Sequence, residues 1–275
     1  EKGLIYHPKQ VLNMVKNVNF TISNNLIYAN NLFLRNFIEN EIYSKSYSYF
    51  LNKLIEIDEI KNINDSRLLI ITFIGNLEIG KKLINKINDY KNLQSFCLCI
   101  VYKRDIDIRQ IKNLISFQNV IYIKCNEFGN DIVPSILAFD IVQNLANFKY
   151  VIKMHTKSAN NWFSDLSSFL LGKSLNKLLS YESNKCNCIS HPEYVIQNKG
   201  NQNTILIDKY RYIINKKYFV RGSMFLCSSL TFKKMLNFIK RDYKPYIFNN
   251  MYDTNCVNEK KSPIHFLERL FGMIR

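Results

Sequence analysis

Leu68-Leu69-Ile70-Ile71-Thr72-Phe73-Ile74, followed by Gly75-Asn76, decides the fold class. A run this apolar, broken by one hydroxyl and no charge, fits a strand covered on both faces, as in a parallel sheet with helices above and below. The same texture recurs at residues 96–102, 120–124 and Tyr150–His155. Between these runs, 77–90, 107–116 and 131–147 read as helices, with Pro134 in the first turn of the last. Short apolar runs alternating with helical stretches spell βα units and a Rossmann-like, mainly parallel α/β sheet. Downstream, the pattern predicts helices at 162–171, 231–241 and 262–274, a strand at 218–226 and irregular chain at 182–203. Upstream, residues 8–60 read as two or three helices, from Pro8, Val11, Leu12 and Val15 to Phe50, Leu51, Leu54 and Ile55. The polar stretch 61–67 reads as a linker. The expected organisation is a helical N-terminal extension, 1–64, and an α/β domain, 65–275, whose halves are 65–157 and 158–275.

With 275 residues, 47% hydrophobic, the chain has material for a sizeable core, and its composition excludes disorder, a collagen helix or a coiled-coil rod. Its longest apolar runs stop well short of the roughly 18–20 residues of a membrane-spanning helix. Seven cysteines, an odd number without recurring spacing, point to reduced thiols and a cytoplasmic setting, membrane-peripheral at most. The net charge of +16 attracts polyanions, but the basic residues are scattered and no run of five like charges occurs, so nucleic acid is not the expected partner. The start at Glu1 rather than Met is read as a fragment or processed product, with further domains of a longer polypeptide expected.

In open parallel sheets ligands bind beyond the carboxyl ends of the strands, which directs attention to Thr72, Gly75 and Asn76, to residues 126–131, and to His155, Thr156 and Lys157. No Gly-x-Gly-x-x-Gly follows the first strand, so a dinucleotide site is not expected. Gly172-Lys173-Ser174 has Ser167 where a P-loop needs its first glycine. Gly129 permits positive φ, and Asp131 is placed to cap the helix carrying Pro134, whose free N–H groups suit a phosphate or sugar hydroxyl. Asp105-Ile106-Asp107 follows the second strand, with Asp107 as a helix cap. Cys186-x-Cys188 with His191 lacks the second ligand pair of a zinc site. His265, Glu268 and Arg269 share about one helical turn, and a surface ion pair accounts for the last two.

Four segments stand in a telling order: Asn126-x-x-Gly129-x-Asp131-Ile132-x-Pro134; Lys153-x-His155-Thr156-Lys157, followed by Trp162; Gly222-Ser223-Met224-Phe225; and Ser262-x-x-His265-x-x-Glu268-Arg269. Together they resemble the rhamnan synthesis F family of polysaccharide glycosyltransferases, from about Leu68 to the C-terminus. The resemblance implies a GT-A-like fold in which the Rossmann-like half binds a nucleotide-sugar donor and the C-terminal half shapes the acceptor site. Donor contacts are then expected from Thr72, Asn126, Gly129, Asp131, Lys153, Lys157 and Arg221. Acceptor-side contacts are expected from Trp162, Gly222, Ser223, Met224, Glu268 and Arg269. Catalysis is assigned to Glu259 as base, with His155 and His265, and Asp253 and Asp131 are alternative bases. Where many such enzymes carry a metal-binding Asp-x-Asp, this chain has His155-Thr156-Lys157. A metal-independent site is expected, with Lys157 and Arg221 neutralising the departing diphosphate, while His155 and His265 as ligands of Mn²⁺ or Mg²⁺ form the alternative. The implied activity is transfer of a sugar, rhamnose in the family's name, from a nucleotide sugar to a glycan or glycoconjugate with inversion. The loop Asn258-Glu259-Lys260-Lys261 is less acidic than the family's, which motivates a second expectation, a catalytically degenerate fold serving as a glycan-binding or scaffolding module of a larger synthase.

Overall fold

The computed structural model describes residues 55–63, 66–90, 96–126, 131–156, 160–172, 188–197, 218–242 and 263–274, with isolated positions at 175, 179, 213 and 214. Its strands are β1 (Ile55–Lys61), β2 (Leu68–Ile74), β3 (Phe96–Lys103), β4 (Val120–Cys125), β5 (Tyr150–His155), β6 (Val195–Gln197), β7 (Tyr218–Val220) and β8 (Phe225–Ser228). Its helices are α1 (Leu77–Asp89), α2 (Arg109–Lys112), α3 (Ile132–Val142), α4 (Asn160–Leu170), α5 (Ser229–Asp242) and α6 (Pro263–Met273). The main sheet has the order β1-β4-β3-β2-β5-β8; its four central strands are parallel, and β1 and β8 run antiparallel at the edges. A separate antiparallel ribbon pairs β6 with β7.

Strand alternation divides the core into two layers. Leu69, Ile71 and Phe73 of β2 face α3, α5 and α6, whereas Leu68, Ile70 and Ile74 face α1 and α4. α3 is apolar almost all round because it lies against the sheet on one side and α5 and α6 on the other, and only Ile141 of its residues escapes burial. This three-layer α/β arrangement, with a mostly parallel sheet between helices, is the expected fold class.

The structure corrects three expectations. Residues 55–61, expected as the tail of a helical extension, form edge strand β1. Ile55-Glu56-Ile57 alternates with period two, and a bulge between Ile57 and Glu59 shifts the register before Ile60. Asp58 and Glu59 then hold Lys112 at 2.9 and 2.7 Å. Residues 1–54 lie outside the described residues. The single strand expected at 218–226 is two strands in different sheets, separated by a turn at Arg221–Ser223. Two helices are shorter than their sequence patterns, α2 ending at Lys112 and α3 at Val142. No helix among the described residues is long and apolar enough to cross a membrane.

Candidate active site

The strand order reverses at β2, whose neighbours are β3 on one side and β5 on the other. A crevice at the carboxyl ends of β2 and β5 is where a doubly wound sheet receives its ligand. Thr156, immediately after β5, binds the two ends together: its Oγ1 accepts the N–H groups of Gly75 at 2.9 Å and Asn76 at 3.1 Å. Asn76 in turn caps α1, its Oδ1 accepting the Ile79 N–H at 3.0 Å. Thr156→Val keeps the shape and removes the acceptor, so unfolding free energy should fall by about 1–2 kcal/mol. Thr156→Ser, which restores the hydroxyl, should lose much less in the same urea titration, and equal losses would count against the double hydrogen bond.

On the α3 side of the sheet, three segments far apart in sequence meet in one buried polar cluster. Lys153 and His155 are two residues apart on β5 and therefore share a face. Lys153 is 0% exposed. Its ammonium pairs with the Asp131 carboxylate and donates to the Ser223 carbonyl at 2.9 Å. The Ser223 hydroxyl donates to Asp131 Oδ2 at 2.9 Å, and His155 Nδ1 lies 3.4 Å from the same oxygen. Burial by itself would raise the Asp131 carboxyl, but the charges of His155 and Lys153 and the hydrogen bonds from Lys153 and Ser223 outweigh it. The net effect holds Asp131 well below the usual carboxylate range. Asp131 stands at the start of α3 without capping it, contrary to the sequence expectation, because its carboxylate is turned to Lys153 and Ser223 instead. Lys153, expected on the donor, spends its charge inside this cluster.

The turn between β7 and β8 completes the wall. Gly222 has φ +89° and Ser223 φ +49°, two successive left-handed residues. A glycine is needed at 222, where a Cβ would also meet Trp162 Cε3 at 3.3 Å. For Ser223 this conformation costs on the order of 1–2 kcal/mol, offset by its bonds to Lys153 and Asp131. The Gly222 N–H donates to Glu268 Oε1 at 2.9 Å, which brings α6 to the same turn. Arg221 stacks its guanidinium 4.5 Å from the Trp162 ring, and Tyr194 meets that ring edge-on at 5.2 Å while donating to Asp165 Oδ2 at 2.9 Å.

Asp131, Lys153, His155, Ser223, Gly222 and Glu268 are thus linked, with Arg221 and Trp162 alongside. Glu268 and Arg269 are not the surface ion pair expected, since Glu268 binds the turn and Arg269 is buried with its guanidinium 5.3 Å from the Phe219 ring. Thr72 is fully buried two residues before the end of β2, on the opposite face from Lys153, and Met224 is likewise core, so neither is open to a ligand. Asn126 follows β4 at the same end of the sheet, half-exposed. Asp107, expected as a helix cap, stands just before α2 and accepts side-chain bonds from Arg109 at 3.0 Å and Gln110 at 3.3 Å together with a backbone bond from Arg109. Cys188 donates to the Phe271 carbonyl at 2.9 Å, and its sequence neighbour Cys186 lies outside the described residues. So do Gly129, Lys157, Asp253, Glu259 and the side chain of His265. The bracing by Thr156 and the Tyr194–Asp165 link join segments 81 and 29 residues apart, and a hydroxyl directly after a strand end is the one local signal of the first.

No family model and no curated protein matches the chain. Among solved structures, the apo form of the glycosyltransferase GlyE from Streptococcus pneumoniae TIGR4 is similar at 8% identity and a TM-score of 0.31, covering 72% of this chain and 44% of that one. A second structure of GlyE gives 10% identity, a TM-score of 0.32 and coverages of 72% and 45%. The matched region therefore spans under half the length of those chains.

Proposed function

We propose that the chain is a glycosyltransferase that moves a sugar from a nucleotide-sugar donor to a glycan or glycoconjugate, at the cytoplasmic face of a membrane, with rhamnosyl transfer as the case named by the family it resembles. The observation that carries this reading is convergence. The four segments of the resemblance span residues 126 to 269, yet Asp131, Lys153, His155, Ser223 and Glu268 come from all four and are joined through one cluster and one turn.

In this reading the donor lies across the ends of β2 and β5, with Asn126, Gly129, Lys157 and Arg221 toward its phosphates. The acceptor lies toward Trp162, a ring with one face already stacked on Arg221. The buried cluster positions rather than contacts: Lys153 and Asp131 fix the Gly222-Ser223 turn and the side of His155 facing them. Glu259 takes the acceptor hydroxyl's proton as that oxygen attacks the anomeric carbon with inversion, and the sugar–phosphate bond breaks to release the nucleoside diphosphate. Asp131, the carboxylate beside His155, is already engaged by Lys153 and Ser223 rather than open to a metal. We therefore assign charge neutralisation of the leaving diphosphate to Lys157 with Arg221.

A thermal-shift panel of nucleotide sugars and nucleoside diphosphates, each with Mn²⁺ and with EDTA, tests this, since a ligand that binds only the native state raises Tm. One nucleotide should stabilise the protein in EDTA, and its sugar conjugate should be slowly hydrolysed. A shift that needs Mn²⁺ would return the phosphates to a metal held by His155 and His265. A shift without any hydrolysis or transfer, or none at all, would favour the degenerate glycan-binding module.

A further inference from the structure

At the opposite end of the sheet, where β2 and β5 begin and β8 passes into α5, a cavity of about 470 Å³ opens between Arg67, Asn147, Phe148, Lys149, Ser229 and Lys233. Its lining includes three cations and no carboxylate. The backbone brings two of them together: the Arg67 carbonyl accepts the N–H groups of Lys149 at 3.0 Å and Tyr150 at 3.1 Å. Both side chains then lie over one buried ring, the Arg67 guanidinium 5.5 Å and the Lys149 ammonium 5.6 Å from the centroid of Tyr150. The third cation comes from another element. The Ser229 N–H donates to the Lys149 carbonyl at 3.0 Å, which fixes the start of α5 here, and Lys233 follows Ser229 by one helical turn on the same side. Three cations on one concavity, with no carboxylate in its lining, favour an anion there. Asn147 and Ser229 add neutral hydrogen-bonding groups, and Phe148 an apolar wall.

We infer that this cavity is an anion site for a phosphate group, free in solution or carried on a lipid headgroup. The planar Arg67 fork suits paired phosphate oxygens, and the two lysines supply compact charges beside it. The site is separate from the donor crevice, lying at the amino ends of the parallel strands rather than their carboxyl ends.

Pulsed lysine acylation read residue by residue by mass spectrometry tests this inference on the intact chain and distinguishes this cavity from the crevice. The probes are inorganic pyrophosphate, phosphatidylglycerol vesicles and phosphatidylcholine vesicles. Lys149 and Lys233 should be acylated about fivefold more slowly with pyrophosphate or with phosphatidylglycerol, as mass action at a mostly filled site requires, while exposed Lys82 on α1 is unchanged. Protection by pyrophosphate assigns a soluble phosphate; protection by phosphatidylglycerol alone, with none from phosphatidylcholine, assigns a headgroup. In Arg67→Gln, an exposed substitution outside the core, the protection should be lost while the melting curve stays put. Unchanged acylation rates in every arm would overturn the inference. So would equal protection of Lys82, or full protection in Arg67→Gln.

Discussion

Asp131→Ala should destabilise the protein by about 3–5 kcal/mol, the usual cost of leaving a buried charge without its partner. The charge left behind is the Lys153 ammonium, which is fully buried and would keep the Ser223 carbonyl and the face of the Phe225 ring 6.0 Å away. The same substitution removes the acceptor of the Ser223 hydroxyl and so loosens a residue held at φ +49°. The double variant Asp131→Ala/Lys153→Met should lie closer to the wild type than Asp131→Ala alone, because it removes the orphaned charge as well. A loss under about 1 kcal/mol in urea unfolding would show that the cluster carries little of the fold.

The cluster also sets an acid limit. Because the Asp131 carboxyl is held below its unfolded value, its contribution is fully present above about pH 4 and is lost as pH falls toward the folded value. Over that window the unfolded chain binds more protons, so wild-type stability should fall on acidification. Asp131→Asn should show a shallower decline below about pH 4, and parallel curves for the two proteins would assign the acid sensitivity to other groups.

The parallel strands were legible because a strand covered on both faces has no polar side to dilute its apolar run, as in Leu68–Ile74. The reversal at β2 was less so, since strand order depends on which edge each crossover returns to, and adjacent sequence does not encode that. β1 was misread for a definite reason. Leu51, Leu54 and Ile55 have helical spacing, while the period of two in Ile55-Glu56-Ile57 is interrupted by the bulge near Asp58. Asp131 was misread because a carboxylate before an apolar helix has a sufficient local explanation in capping. Its actual partners are 22 and 92 residues away in sequence. Lys153 held the clue: a lysine two residues before a strand end shares its face with His155 and must find an anion inside the protein. Gly222 was marked as an interruption, but its positive φ and the separation of two sheets there are set by Trp162 and Glu268, which come from other segments.

Lys157→Ala should lower sugar transfer about 100- to 1000-fold, the range seen when one preorganised group facing a developing negative charge is removed. Lys157 directly follows Thr156, the residue that braces the ends of β2 and β5 where the proposed donor lies. At this place in the sequence motif a carboxylate would recruit a metal, whereas an ammonium meets the diphosphate as a point charge. The loss should fall on kcat more than on KM, since charge accumulates on the diphosphate as the sugar–phosphate bond breaks. Lys157→Arg, which keeps the charge but alters its reach and geometry, should recover part of the rate. Added Mn²⁺ should restore little, because Asp131 is committed to Lys153 and Ser223. Unfolding free energy should stay within about 0.5 kcal/mol of wild type, so a rate loss cannot be charged to the fold. Turnover within about threefold of wild type would remove Lys157 from the chemistry, since so small a change is under 1 kcal/mol of transition-state stabilisation.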